Sequence, residues 1–202
     1  SSVAARIGGS ACEATAWLCW PDSAGNCLYN ASITCKTPQG TGPFQRVSLT
    51  VMKQVTTLTF SFTYNLPRLD QIFPANGPAT GGIDITLSGG GYGLEDYQPK
   101  VILQGSACEQ TTFYSDSSLV CKVSPGLYDQ HDLVVSVSGL TTVGDGFDLF
   151  TFDQPILSSI GGQNSATTGG STATLYGANF GTSSSSLRGR IVPGDCESTE
   201  WV

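Results

Sequence analysis

The sequence predicts an all-β chain organised as tandem, disulfide-stapled β-sandwich domains. Three observations carry this. Short runs alternate apolar and polar residues with a period of two. Clusters of Gly, Pro, Asn and Asp punctuate those runs, with no helical period between them. The chain also repeats itself. The stretch GSACE occurs at Gly9–Glu13 and again at Gly105–Glu109, and GDCE follows at Gly194–Glu197. Setting Cys108 on Cys196 defines an offset of 88 residues, which also sets Pro67 on Pro155, Gly81-Gly82 on Gly169-Gly170, and Gly93 on Gly181. Agreement of unrelated positions on one ungapped shift identifies an internal repeat. Cys12 lies 96 residues before Cys108, so the first copy carries about eight extra residues, visible as CWPDSAGNC at Cys19–Cys27.

Along the chain, VSLTV places Val47, Leu49 and Val51 on one face, and LTFSFTY places Leu58, Phe60, Phe62 and Tyr64 on one face. The next copy continues with IDITLSG (Ile83, Ile85, Leu87), KVILQG, SLVCKV, LVVSVS (Leu133, Val135, Val137) and FTF (Phe150, Phe152). The repeat offset lays Phe150 and Phe152 on Phe62 and Tyr64. Turns are marked at Asn76-Gly77-Pro78, Gly81-Gly82, Gly89-Gly90-Gly91, Ser124-Pro125-Gly126 and Gly144-Asp145-Gly146. The joints Asn65-Leu66-Pro67 and Asp153-Gln154-Pro155 leave no flexible linker, and proline stiffens each by fixing φ. Successive domains are therefore expected to abut as a fairly rigid rod. The organisation expected is the back of one domain (1–65, with the Cys19–Cys27 insertion), a complete domain (66–153) and the front of a third (154–202).

Composition narrows the function. Charged residues are 12% of the chain, the net charge is −7 and the pI is near 4.4. An acidic surface repels phosphate, which argues against nucleic acid as a partner. No apolar run is long enough to span a bilayer. The seven cysteines include no CxxC pair, and His131 is the single histidine, so neither zinc ligation nor a cysteine–histidine catalytic pair suits them. Disulfides in an oxidising, extracellular setting fit better.

The combined motifs resemble the IPT/TIG family, an immunoglobulin-like fold found in tandem in plexin-type receptor ectodomains and fibrocystin-like proteins. The middle copy carries the pattern in order: PRLDQIFPANGPATGGIDITLSGGGYG, VILQGSAC, SDSSLVCKVSPG, then LVVSVSGL and FTF. The third copy keeps PILSSI, TTGGSTATLYGANFG and GDCE, and the first keeps GSACE, ASITCKTPQGTGP and FSFTY. The Cys19–Cys27 insertion departs from the pattern. With the family alignment in place, Cys108 is expected to pair with Cys121 and Cys12 with Cys35. Each pair flanks a polar loop between neighbouring strands. Cys19 then pairs with Cys27, and Cys196 is left over because its partner falls beyond Val202. The bland alternative for Cys196 is a reactive free thiol.

Each candidate for chemistry has a plain reading beside it. Asn30-Ala31-Ser32 is the single N-x-[ST] sequon and is expected to carry an N-glycan. Thr182, Ser183, Ser184, Ser185 and Ser186 are candidates for O-linked sugars, or an ordinary hydrophilic loop. The stretch GGGYG at Gly89–Gly93 looks able to cradle phosphate, but it lacks a P-loop lysine and a following helix, so a turn is the better reading. His131-Asp132 lacks a serine elbow, and Asp145 with Asp148 falls short of a calcium loop. Trp17, Trp20 and Trp201 read as packing, with a sugar or subunit platform as the alternative.

No enzymatic activity and no cofactor are expected, beyond covalent glycans. The function expected is a structural repeat of an extracellular filament or cell-surface stalk. The alternative is a ligand-binding or adhesive segment of a receptor ectodomain. Partners would be further repeats of the same polypeptide or neighbouring copies. The DNA-binding role of related transcription-factor domains is set against the acidity and the cysteines. The chain reads as a window on a longer covalent array, with strand donation between copies as the other way to complete its outer domains.

Overall fold

A computed structural model of the chain describes residues 3–18, 23–25, 32–103, 105–126, 133–142, 150–162, 164–182, 187–192 and 194–200. The described residues hold strands and turns and no helix. In order the strands are β1 (Val3–Ile7), β2 (Ser10–Ala11), β3 (Ala14–Leu18), β4 (Ser32–Lys36), β5 (Gln45–Val51), β6 (Gln54–Phe62), β7 (Arg68–Phe73), β8 (Asn76–Gly77), β9 (Asp84–Gly90) and β10 (Lys100–Leu103). They continue as β11 (Ser106–Ala107), β12 (Gln110–Ser115), β13 (Ser118–Lys122), β14 (Leu133–Val137), β15 (Leu140–Thr141), β16 (Thr151–Phe152), β17 (Ile156–Gly161), β18 (Thr174–Ala178), β19 (Arg190–Ile191) and β20 (Gly194–Asp195).

The middle of the chain is the sandwich. One sheet runs β12-β13-β9-β7 and the other β11-β10-β14-β15. Alternation puts Ile85, Leu87, Leu119 and Cys121 on the inner face of the first. Val101, Leu103, Leu133, Val135 and Val137 face them from the second, and Tyr92, Val123, Phe150 and Phe152 complete one core. Each fully buried aliphatic side chain stabilises the fold by roughly 1.5–3 kcal/mol. Before it, β2-β1-β5-β6 form a separate four-stranded sheet and β3-β4 a hairpin; after it, β17-β18 and β19-β20 are hairpins.

The repeat is visible atom by atom. Ser138-Gly139, between β14 and β15, has positive φ at both residues (48° and 83°), and so has Met52-Lys53 between β5 and β6 (47° and 70°). The ring pair Phe62–Tyr64 meets edge to face at 5.1 Å, and Phe150–Phe152 does so at 5.2 Å. The β7–β9 ladder shifts register between Leu69 and Gln71, and the β17–β18 ladder between Leu157 and Ser159. At those bulges a Cβ on Gly89 would overlap Arg68 O and the Tyr92 ring hydroxyl, and a Cβ on Gly177 would overlap Ile156 O and the Phe180 ring.

Three local expectations need correction. Asn76-Gly77 is strand, not turn: β8 pairs in parallel with β16. Asn76 Nδ2 donates to Thr151 O and Oγ1, and Gly77 lies too close to Ile83 and Phe150 for a side chain. Gly89 and Gly90 close strand β9, and the chain leaves the sheet at Gly91 (φ 76°). Phe60 leaves the face it was assigned. Register jumps from Gln45↔Phe62 to Val47↔Leu58, so residues 59–61 bulge opposite Arg46, and Phe60 is 78% exposed with φ 55°.

The Tyr92 hydroxyl is buried without a hydrogen-bond partner among the described residues. Burial first, then the Asp70 charge, pushes its pKa up to about 12. An orphaned buried hydroxyl costs roughly 1–3 kcal/mol, and the equivalent position in the third copy is Phe180. Tyr92→Phe is expected to raise stability by about 1 kcal/mol in urea unfolding at pH 7. The raised pKa adds a second signature. Below pH 10 both folded and unfolded chains hold the proton; between pH 10 and about 12 the unfolded chain releases it first, and stability falls. The gain from Tyr92→Phe should therefore widen across that window. A variant less stable than the parent both at pH 7 and within that window would show an unrecognised partner for the hydroxyl.

Candidate functional site

The GSACE stretch places its cysteine on a short hairpin, and the placement is the same three times. Cys12 N–H donates to Ala5 O at 2.9 Å, Cys108 N–H to Val101 O at 3.0 Å, and Cys196 N–H to Gly189 O at 3.0 Å. The chain then crosses to the other sheet, where Glu13 N–H donates to Lys36 O (3.1 Å) and Glu109 N–H to Lys122 O (2.9 Å). This crossing brings each cysteine to a partner strand. Cys12 is bonded to Cys35 and Cys108 to Cys121, each with Cα atoms 5.7 Å apart. Beside each staple runs an ion pair, Lys36 with Glu13 and Lys122 Nζ with Glu109 Oε2 at 2.9 Å. The glutamate's hydrogen bond, then its charge, raises each lysine pKa. Both pairs face solvent, so they orient the crossing more than they stabilise it.

Cys196 is exposed and has no disulfide partner among the described residues. Thr182 is exposed, and Trp17 stands 49% exposed on β3 opposite Ile33. Cys19, Cys27, Asn30, Ser183, Ser184, Ser185 and Ser186 lie outside the described residues, as do His131, Asp132, Asp145, Asp148, Trp20 and Trp201. Among the described residues no three His, Cys, Asp or Glu side chains gather as a metal site, and no helix is long and apolar enough to cross a membrane.

The second built feature is the joint between the β2-β1-β5-β6 sheet and the sandwich. Tyr64 Oη donates to Pro38 O at 3.0 Å, and Gly40 lies so close that a Cβ there would sit 2.6 Å from that hydroxyl. Gly126 lies under the Phe152 ring in the same way. The Tyr64 corner presents residues 41–43 to the sandwich. Thr41 Oγ1 and Ser138 Oγ are 2.8 Å apart, and Pro43 Cδ lies 3.8 Å from where a Cβ on Gly139 would be. Burial, and then Tyr97 across the joint, raises the Tyr64 pKa. Sequence reading missed the joint contacts. Their only sequence trace is the equivalence of Gly40 with Gly126 and of Tyr64 with Phe152.

A third feature is apolar and exposed. Phe44 and Phe60 both have positive φ (54° and 55°), are 64% and 78% exposed, and meet edge to face at 6.3 Å. Phe44 N–H donates to Thr63 Oγ1. Bulky residues in this backbone region cost roughly 1–3 kcal/mol each, and such strain gathers at functional surfaces.

The IPT/TIG domain model matches residues 67–153. Plexin-2 of Caenorhabditis briggsae is 30% identical over 121 residues, covering 58% of this chain and 7% of its own length. Among solved structures, the full extracellular region of plexin A4 is 16% identical with a TM-score of 0.40, covering 74% of this chain and 14% of that one. A structure solved with a xylogluco-oligosaccharide is 15% identical with a TM-score of 0.42, covering 96% of this chain and 44% of that one. The chain thus spans less than a tenth of the curated relative that it matches. The stapled all-β fold and the plexin relatives put this chain outside the cell or at its surface.

Removing the Cys108–Cys121 staple with a paired Cys108→Ser and Cys121→Ala change should cost roughly 3 kcal/mol, read by urea unfolding under non-reducing conditions. Cys196→Ser should change stability by less than about 0.5 kcal/mol, because that side chain is exposed. Non-reducing peptide mapping checks the pairing itself: Cys12 linked to Cys35, and Cys108 to Cys121. A peptide linking Cys19 to Cys35 would overturn it.

Proposed function

We propose that this chain, whose residues 67–153 are an IPT/TIG domain, is a non-catalytic structural segment of an extracellular stalk or filament. In this reading residues 1–65 and 154–202 belong to flanking domains of the same kind, and the chain's partners are further such repeats. The observation that carries the reading is the reuse of one contact at successive joints. A Cβ on Gly91 would stand 3.2 Å from Leu66 O, and Asn179 Nδ2 donates at 3.3 Å to Gln154 O, the equivalent carbonyl of the next copy. A ligand-binding module needs one shaped site, whereas a spacer needs its joints to repeat. Glycans on Asn30 and on Thr182–Ser186 would coat such a shaft. Electron microscopy of the native material tests the reading. Unbranched rods or filaments of uniform width are expected, and compact dispersed particles would sink it.

A second reading, an adhesive or ligand-binding segment of a receptor ectodomain, is favoured by the Phe44–Phe60 pair. Phe60→Gly separates the two. Relief of the left-handed backbone (~1–2 kcal/mol) offsets the lost ring contact (~0.5–1.5 kcal/mol), so stability should stay within about 0.5 kcal/mol. If the pair is a recognition surface, the parent chain binds on an immobilised glycan or cell-surface-protein array, and the variant loses that binding at least tenfold. For a spacer, parent and variant are alike and neither binds.

A further inference from the structure

The GGGYG stretch, Gly89–Gly93, has a further use. Three of its five amides are already engaged. Gly89 N–H donates to Ser117 O at 3.0 Å, Tyr92 N–H to Asp116 O at 3.1 Å, and Gly93 N–H to Asp116 Oδ1 at 2.8 Å. Amides pinned to an aspartate do not cradle a phosphate. What the stretch does is let other backbone come close. A Cβ on Gly91 would stand 3.2 Å from both Leu66 O and Pro67 Cα. A Cβ on Gly93 would stand 3.3 Å from Thr41 Cγ2 and 2.5 Å from the Tyr97 ring. Gly89, Gly91 and Gly93 thus face, in turn, β7, the joint Leu66-Pro67, and the Thr41 loop of the preceding sheet.

The third copy has GANFG, Gly177–Gly181, at the same place. Asn179 holds the left-handed conformation of Gly91, with φ 61° against 76°. Its Nδ2 donates to Gln154 O at 3.3 Å, and Gln154 is the repeat equivalent of Leu66. A backbone approach in one joint is therefore matched by a side-chain hydrogen bond in the other, to the same carbonyl.

We propose that Gly89–Gly93 and Gly177–Gly181 are receiving surfaces for the chain entering from the preceding IPT/TIG-type segment, and that the first, with the contact of residues 41–43 on the Ser138-Gly139 turn, locks successive segments at a fixed angle. The occupant is the closing loop and proline joint of the segment before. The seam is small and polar at its rim: Thr41 Oγ1 and Ser138 Oγ lie 2.8 Å apart on exposed turns, with buried Gly42 and Gly93 behind them. Such a seam holds by fit, and a like-charge pair placed across the 2.8 Å contact opens it. The lock serves a stalk and a receptor ectodomain alike, so its failure is distinguishable from failure of the stalk reading.

The test is backbone N–H residual dipolar couplings on the 202-residue chain. Couplings from residues 3–18 and 32–62, and from 68–126 and 133–142, should fit one alignment tensor. Separate tensors in the parent chain overturn the proposal without any variant. Thr41→Asp with Ser138→Asp places two carboxylates across the seam, on turns outside the core, and position 138 has a φ that Asp tolerates. That variant should need two tensors whose magnitudes differ at least twofold, while amide shifts around Cys108 and Cys121 stay unchanged. Thr41→Lys with Ser138→Asp should restore one tensor. A single, unchanged tensor in the double-aspartate variant overturns the lock.

Discussion

The structure depends on how close one backbone can come to another where a side chain is missing. Gly89 is the clearest case. Its Cα hydrogen faces Arg68 O across a β-bulge, and any Cβ would occupy that oxygen's place. The bulge turns β7 against β9 and sets where the Leu66-Pro67 joint meets the sandwich. That joint in turn sets where the Thr41 loop falls. A methyl group at residue 89 would displace all three together, because the nearest atom in its way, Arg68 O, is backbone and cannot swing aside.

The staples act on a different problem. A sandwich with few charged residues and many turns has short strands, and the crossing from β11 to β12 leaves one sheet for the other. The cysteine amide is hydrogen-bonded to its own sheet, and the next amide, of glutamate, is bonded to the opposite sheet. The disulfide spans that same step. Cross-link and hydrogen bonds therefore agree on one path for the chain. Local and long-range preferences then support one another, which is what gives a single native state. Repetition of this path at Cys12, Cys108 and, for the amide contact, Cys196 shows it is a property of the motif rather than of one site.

Much of this was legible in the sequence, and the rest was not, for identifiable reasons. Alternation at Val101, Leu133, Val135 and Val137 marked the core because both faces of those strands obey the period of two. The cysteine settings were legible because GSACE recurs intact and GDCE follows at the 88-residue offset. Phe60 was misassigned because alternation assumes a regular ladder, and a bulge set by the partner strand breaks it. Asn76-Gly77 was misassigned because local turn chemistry lost to a parallel pairing with residues 75 positions away. Thr41 and Ser138 are 97 residues apart and carry no pattern at all; only the folded chain brings their hydroxyls together.

Gly91 and Asn179 show what a repeat holds fixed. One has no side chain and lies against Leu66 O, and the other uses its side-chain amide to reach the equivalent carbonyl, Gln154 O. Their identities differ, yet both are left-handed, and glycine and asparagine are the residues that enter that region at least cost. The constraint therefore lies on backbone geometry, not on residue type. Tyr92 and Phe180 show the same at the next position. Both rings fill the space beside a strand-end glycine, and only the tyrosine brings a hydroxyl, one with no partner among the described residues. Ring volume is what the joint needs there; the hydroxyl is tolerated because the glycine approach, the bulge and the proline joint already determine the backbone around it.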